Sequence, residues 1–307
     1  MPAPTRTEHT AIRHVVVLDA PSNLGLRPPA PGVVPGTYKA PGALRDHRLL
    51  DRVGAEDAGC VTPPRYDRHD WRPGDGVAHA QQLAAYSWTL ADRVTALLDA
   101  GSFPLVLGGD CSILLGTSLA LRERGRFGLA FLDGHSDFRH PGNSPAVGAA
   151  AGEDLALVTG RGQPDLTDLV GLRPYLRDDD VAVLGIRDDD EHAAELARTE
   201  LLVRPVASVR EAGAAAVART ALDRLERTEL DGFWVHVDAD VLDPAVMPAV
   251  DSPDPGGLDR PEVLELLTVL CASSRCVGLQ LTVFDPDLDP DGTLAASLTD
   301  LLVDVLG

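Results

Sequence analysis

Six short, almost wholly apolar runs recur along the chain: VVVL (15–18), PLVLGG (104–109), GLAFLDG (128–134), VAVLGI (181–186), FWVHVDAD (233–240) and CVGLQLTVF (276–284). Between most of them lie stretches whose apolar residues repeat at helical spacing. Val77 to Ala100 is one, stopped by Gly101; AAVARTALDRLER (215–227) and RPEVLELLTVL (260–270) are two more. Strands without polar alternation must be covered on both faces, and strand–helix alternation supplies that cover. The pattern therefore predicts an α/β protein, a three-layer α/β/α sandwich around a mostly parallel sheet.

A chain of 307 residues, 44% hydrophobic, can bury a large core, so a single domain over 1–307 is expected, with 1–12 a loose N-terminal tail. The Pro/Gly-rich stretch 21–45 reads as too broken for regular structure and is expected at the rim of an active site. Against 47 acidic residues stand 27 basic ones, a net charge of −20, which argues against a nucleic-acid or anionic-membrane partner and suits a cationic or metal-bound ligand. The only early apolar run is shorter than a signal-peptide core, and a cytoplasmic location follows as the expectation. The four cysteines, Cys60, Cys111, Cys271 and Cys276, have spacings that do not suggest a disulfide framework.

Ligands of such sheets bind beyond the carboxyl ends of the strands. In this sequence those ends are acidic: Asp110 and Cys111 follow VLGG, Asp133, His135 and Asp137 follow AFL, Asp238 and Asp240 close FWVHVDAD, and Arg187 with Asp188, Asp189 and Asp190 follow VLGI. Taken singly, an Asp after a strand is most often a turn or cap residue, and a lone His is most often structural. Taken together, the alternating sets Asp133/His135/Asp137 and His236/Asp238/Asp240 place side chains on one strand face, and carboxylates so gathered need cations between them. Oxygen-rich sets with some imidazole suit Mn²⁺ or Mg²⁺.

The same residues resemble motifs of the ureohydrolases, the family of arginase, agmatinase and formimidoylglutamase. GGDCS (108–112) resembles their Gly-Gly-Asp-His-Ser, DGHSD (133–137) their Asp-Ala-His-x-Asp, and DADVLDPAVMPAVDSPDPGGL (238–258) their Asp-x-Asp-x-x-Asp-Pro with its following Pro and Gly-Gly. The Gly-rich region before Arg45 and GIRDDD are also similar, so the resemblance spans nearly the whole chain. It implies an arginase-like fold, often a homo-oligomer, and a binuclear manganese site with Cys111, Asp133, His135, Asp137, Asp238 and Asp240 as ligands. A hydroxide bridging the metals would attack a guanidinium or amidine carbon, with Asp137 in the catalytic machinery.

Three departures bear on the substrate. Cys111 stands where the family has a ligand His, as in members that hydrolyse Nω-hydroxy-arginine; sulfur would also favour Zn²⁺, Fe²⁺ or Co²⁺, and Cys111 could instead be a non-coordinating side chain. Val283 of VFDP stands where arginases have the Glu that pairs with the guanidinium, leaving Asp285 or another acid for that role and disfavouring plain arginine. Ala151 occupies the place of the proton-shuttling His, and His140, Glu153 and His236 are alternative donors. His236 could also orient Asp238. Asp190 matches the position that contacts the substrate α-amino group. The expected activity is hydrolysis of a C–N bond in a guanidino, N-hydroxyguanidino or amidine compound. A catalytically silent ligand-binding scaffold is the main rival, and a cysteine-nucleophile reaction at Cys111 a third reading.

Overall fold

A computed structural model describes residues 13–67, 71–145 and 147–307, so the expected tail at 1–12 lies outside the described residues. Eight strands form one sheet: β1 Val15–Ala20, β2 Glu56–Cys60, β3 Phe103–Gly108, β4 Phe127–Leu132, β5 Val181–Leu184, β6 Leu202–Arg204, β7 Gly232–Asp238 and β8 Cys276–Thr282. Their order is β2-β1-β3-β8-β7-β4-β5-β6, and every neighbouring pair runs parallel. The sequence pattern predicted this sheet, and both faces are covered as it requires.

On one face, helices Ala214–Leu225, Arg260–Ala272 and Thr293–Leu306 contribute Val217, Leu266 and Leu298 to an apolar cluster with Val235 and Leu279. On the other, helices Ala80–Asp99 and Leu114–Arg124 contribute Leu90 and Leu119 to a cluster with Leu129, Phe131 and Trp234. The helix expected over Val77 to Ala100 runs from Ala80 to Asp99 and stops before Gly101, whose φ of 74° suits glycine. Helix Arg260–Ala272 starts with a capping box, in which Asp259 and Glu262 each accept the other's backbone N–H. Among the described residues no helix is long and apolar enough to cross a membrane.

Three expectations need correction. The stretch 21–45 is not wholly irregular: Gly36–Lys39 forms a 3₁₀ turn that runs into helix Ala40–Asp46, where Pro41 sits in the first turn and costs no hydrogen bond. The edge strands β2 and β6 have no counterpart among the apolar runs. EDAGC of β2 is mostly exposed, so nothing selected it to be apolar, and LVR of β6 is only three residues long. Finally, β4 ends at Leu132, so Asp133, His135 and Asp137 do not alternate on a strand; they converge from a loop in which Asp137 has φ 44°.

The sheet order explains where the acids gather. β3, β8, β7 and β4 are the four central neighbours, and their carboxyl ends carry Cys111, Val283, Asp238 and Asp133. The chain reaches them by a close approach of backbone to backbone. A Cβ on Gly109 would lie 1.6 Å from the Ser22 carbonyl oxygen, so only glycine lets the ends of β1 and β3 come together there.

Candidate active site

Asp110 shows that one acid of the set is structural. Its Oδ1 accepts from Ser112 N (2.8 Å), and its Oδ2 from Gly25 N (3.2 Å) and Ser22 Oγ (3.0 Å). It thereby caps the 3₁₀ turn Cys111–Ile113 and ties down the loop after β1.

The next residue faces the other way. Cys111 is fully buried; its Sγ donates to Asp238 Oδ2 at 2.7 Å and lies 3.0 Å from Thr282 Oγ1. Burial, then Asp238, Asp154, Asp133 and Asp137, push its thiol well above the usual range. Donor atoms of Cys111, Asp133, Asp137 and Asp238 lie within 4.8 Å of one another, and so do those of Asp133, His135 and Asp240. Asp133 belongs to both groups. Its Oδ1 accepts from His135 N at 2.7 Å, while its Oδ2 is buried without a partner.

The second group is oriented by bonds from outside it. Asp240 Oδ1 accepts from Gly134 N (3.0 Å), and its Oδ2 lies 2.9 Å from His135 Nδ1, whose Nε2 reaches Asp254 Oδ2 at 3.1 Å. Burial opposes the charge on His135, but the bond and charge of Asp240 outweigh it and raise the imidazole to about 10. Burial likewise pushes Asp240 up, and His135 and Arg187 hold it below the usual carboxylate range. Arg187, 5% exposed, donates to the Asp240 and Asp254 carbonyls, each at 2.6 Å, which fixes the loops after β5 and β7 against each other.

Asp133, Asp137 and Asp238 are less well compensated. Burial is the largest cause that raises all three well above the usual carboxylate value, and neighbouring acids add to it; His135 and Arg139 beside Asp137, and the bonds from Cys111 and Asp240 N to Asp238, offset only part. An orphaned buried oxygen within a nest of mutually repelling acids is the chemistry expected of residues that hold divalent cations, and oxygen donors with one imidazole and one sulfur fit them.

Two residues of the surroundings were given no site role from sequence, and one was given another. Asp154, at the start of helix Asp154–Val158, is fully buried with neither carboxylate oxygen bonded. It groups with Cys111 and His236, and nothing in GED (152–154) signals which way it points. His236 stacks on Phe131 and bonds Gln280 rather than orienting Asp238. Gln280 Oε1 accepts from Trp234 Nε1 (3.0 Å) and Thr117 Oγ1 (2.7 Å), so its Nε2 must donate to His236 Nδ1 (2.7 Å). The neutral ring then carries its proton on Nε2, and burial lowers its pKa to about 3. Asp251, in PAVDSP, lines the cavity above the acids; burial and then Asp240 raise it to about 7. Its side is open to the cavity yet enclosed by protein, which is why it is both exposed and desolvated.

The cavity over these groups has a volume of about 840 Å³ and is walled partly by Arg27, Val34 and Gly36 of the Pro/Gly-rich stretch, as expected of a rim. Asp190 and Asp285 line it as well, but both are engaged. Asp190 accepts from Ser136 N and His192 N, each at 2.9 Å, and Asp285 accepts from Gly36 N (3.1 Å) and Asp287 N (2.9 Å). His140 and Glu153 are not among the residues lining the cavity. Both ring nitrogens of His140 are bonded, to Glu195 and Gly142. Glu153 Oε1 accepts from Gly148 N and Ala149 N, its Oε2 has no partner, and burial raises it to about 7.

An all-parallel sheet with groups of candidate metal ligands at the ends of its central strands defines an α/β protein with a potential metal site. Comparison with known proteins gives the class a family. The family model described as Arginase family matches residues 15–307. The arginase of Brevibacillus brevis is 29% identical over 281 residues, covering 89% of this chain and 92% of that one. The arginase of Brucella melitensis is 31% identical over 308 residues, covering 96% of each. The solved structure of Bacillus caldovelox arginase superposes with a TM-score of 0.86 at 25% identity, covering 96% of this chain and 98% of that one. The chain belongs to the arginase family of metal-dependent hydrolases.

Proposed function

We propose that the protein hydrolyses a C–N bond in a guanidino, N-hydroxyguanidino or amidine compound, and that plain arginine is not its favoured substrate. The observation that carries this reading is the convergence of two donor groups that share the buried Asp133 and whose His135, Asp137, Asp238 and Asp240 line one cavity. Cys111, Asp133, Asp137 and Asp238 would hold one ion, and Asp133, His135 and Asp240 the other. Mn²⁺ is the expected metal, with Zn²⁺, Fe²⁺ or Co²⁺ favoured if Cys111 coordinates as thiolate. Two bound ions would activate a water for attack on the central carbon.

The chain's own residues do the rest. Arg187 and His135 hold Asp240 in place, and Asp190 and Asp285 line the cavity with carboxylates already held by backbone N–H groups, so they would meet a substrate only with their remaining lone pairs. Of the two donors expected for the leaving amine, Glu153 keeps a free Oε2 and a pKa of about 7, while both ring nitrogens of His140 are bonded. Neither lines the cavity, so Glu153 could serve only through an intervening water or a loop shift. The argument against arginine rests on Val283, an apolar side chain on the cavity wall where a guanidinium partner is expected. A single-domain, cytoplasmic homo-oligomer belongs to the same reading and is supported by the family.

The test is to incubate manganese-loaded protein with arginine, Nω-hydroxy-arginine, agmatine and guanidinobutyrate and to measure urea or hydroxyurea. Turnover of at least one compound, with arginine not the best, is expected. Full metal occupancy without turnover of any of them would favour the silent scaffold instead.

A further inference from the structure

A cationic substrate carbon group lowered onto a metal pair needs a carboxylate beside it, and the cavity wall offers few that are free. Val283, where the C-terminal stretch would have supplied one, is apolar and 2% exposed, and its φ of 70° is unusual for a β-branched residue. Asp285, two residues on, has both oxygens engaged by backbone N–H groups of Gly36 and Asp287. Asp254 bonds His135, Asp287 pairs with Lys39, and Glu191 pairs with Arg139.

Asp251 is different. Among the described residues no other side chain or backbone N–H is recorded donating to its carboxylate, which bonds only its own backbone, and it is open to the cavity. The loop that carries it is fastened beside Val283: Asp285 N donates to Ala249 O at 2.8 Å, and Val250 and Val283 belong to the same buried apolar cluster and both line the cavity. Asp251 lines the same cavity as Asp137, Asp238 and Asp240. Asp189 also lines the cavity, but from the loop after β5, whereas the loop of Asp251 is bonded directly to the one that carries Val283.

We propose that Asp251 is the specificity-determining residue that pairs with the guanidinium or amidinium of the ligand, replacing from the neighbouring loop the carboxylate that Val283 cannot provide. This rests on the reading of the cavity as a guanidino or amidine site, but not on turnover. A cation there meets Asp251 on one side and the apolar Val250 and Val283 beside it, so the pair forms in a partly desolvated corner where a charge-assisted bond is strong. Because the acid approaches from a different loop, the ligand's cationic end is displaced toward residues 249–252, which changes the chain length that fits between it and Asp190.

The experiment compares manganese-loaded wild type, Asp251→Asn and Asp251→Glu. It measures metal content, KM and kcat for whichever guanidino compound is turned over, and agmatine binding by titration calorimetry with urea as the uncharged control. For Asp251→Asn, KM and the agmatine Kd are expected to rise about 10- to 100-fold, the loss of one hydrogen bond to a charged group, with metal content and urea binding unchanged. Asp251→Glu is expected to recover part of the loss. Unchanged KM and agmatine Kd at full metal content would overturn the proposal. So would loss of an ion from Asp251→Asn, which would make Asp251 a metal ligand. If wild type turns over nothing yet binds agmatine in an Asp251-dependent way, the hydrolytic reading fails and this inference stands.

Discussion

Asp133→Asn is expected to abolish turnover and, in chelated protein, to raise the melting temperature. The two effects have one cause. The substitution keeps the Oδ1 acceptor for His135 N and replaces the one oxygen that has no partner with an uncharged amide. In the folded protein Asp133 titrates well above its usual value, because burial and the charges of Asp137, Asp238 and Asp240 penalise the carboxylate. A carboxyl whose pKa is raised by folding opposes folding at any pH above its unfolded value, so at neutral pH an amide there should add about 1–3 kcal/mol of stability without metal. With metal the sign reverses, since Asp133 is shared by both donor groups. Mutating residues that merely support a ligand typically lowers affinity or activity by about 10- to 100-fold, and loss of a shared ligand should exceed that. Thermal melts in chelator and in excess Mn²⁺, with an activity assay, check both halves. A variant less stable than wild type in chelator would show that the nest is not under charge strain.

Trp234→Ala is expected to cost about 3–5 kcal/mol, read from denaturant unfolding. Trp234 lies in the middle of β7, fully buried, over Gly278 of β8, where a Cβ would sit 2.1 Å from its ring. A small residue on one strand thus makes room for the largest on the next, and truncating the indole leaves a cavity that the paired strands cannot close. Its Nε1 also holds the Gln280 amide that fixes the tautomer of His236. Trp234→Phe, which keeps most of the volume but removes the N–H, separates the two contributions: it should lose less stability while still releasing Gln280. A loss from Trp234→Ala of under about 1 kcal/mol would contradict this packing.

The central sheet was legible because strands buried on both faces are dominated by apolar residues; β4 and β5 stand out as unbroken apolar runs, and β7 is interrupted only by His236 before its terminal Asp238. β2 escaped because an edge strand is free to read EDAGC. At the site the acids were visible while their geometry was not. Asp133, His135 and Asp137 meet through a loop with a left-handed residue, not through strand alternation. Asp110 has the bland capping role that any single Asp would be assigned, and Cys111 beside it points into the nest. Asp154 and Asp251 were missed because direction, not residue type, makes them part of the site, and direction follows from how the loops after the strands pack.

Metal analysis of protein dialysed against Mn²⁺ and then freed of excess ion, with a thermal melt of the same sample, tests the core idea most directly. The expected result is close to two ions per chain and a melting temperature that falls on chelation; at free metal 100 times Kd the stabilisation should be about 2.7 kcal/mol per site. Protein that retains no ion and melts identically with and without chelator would contradict it.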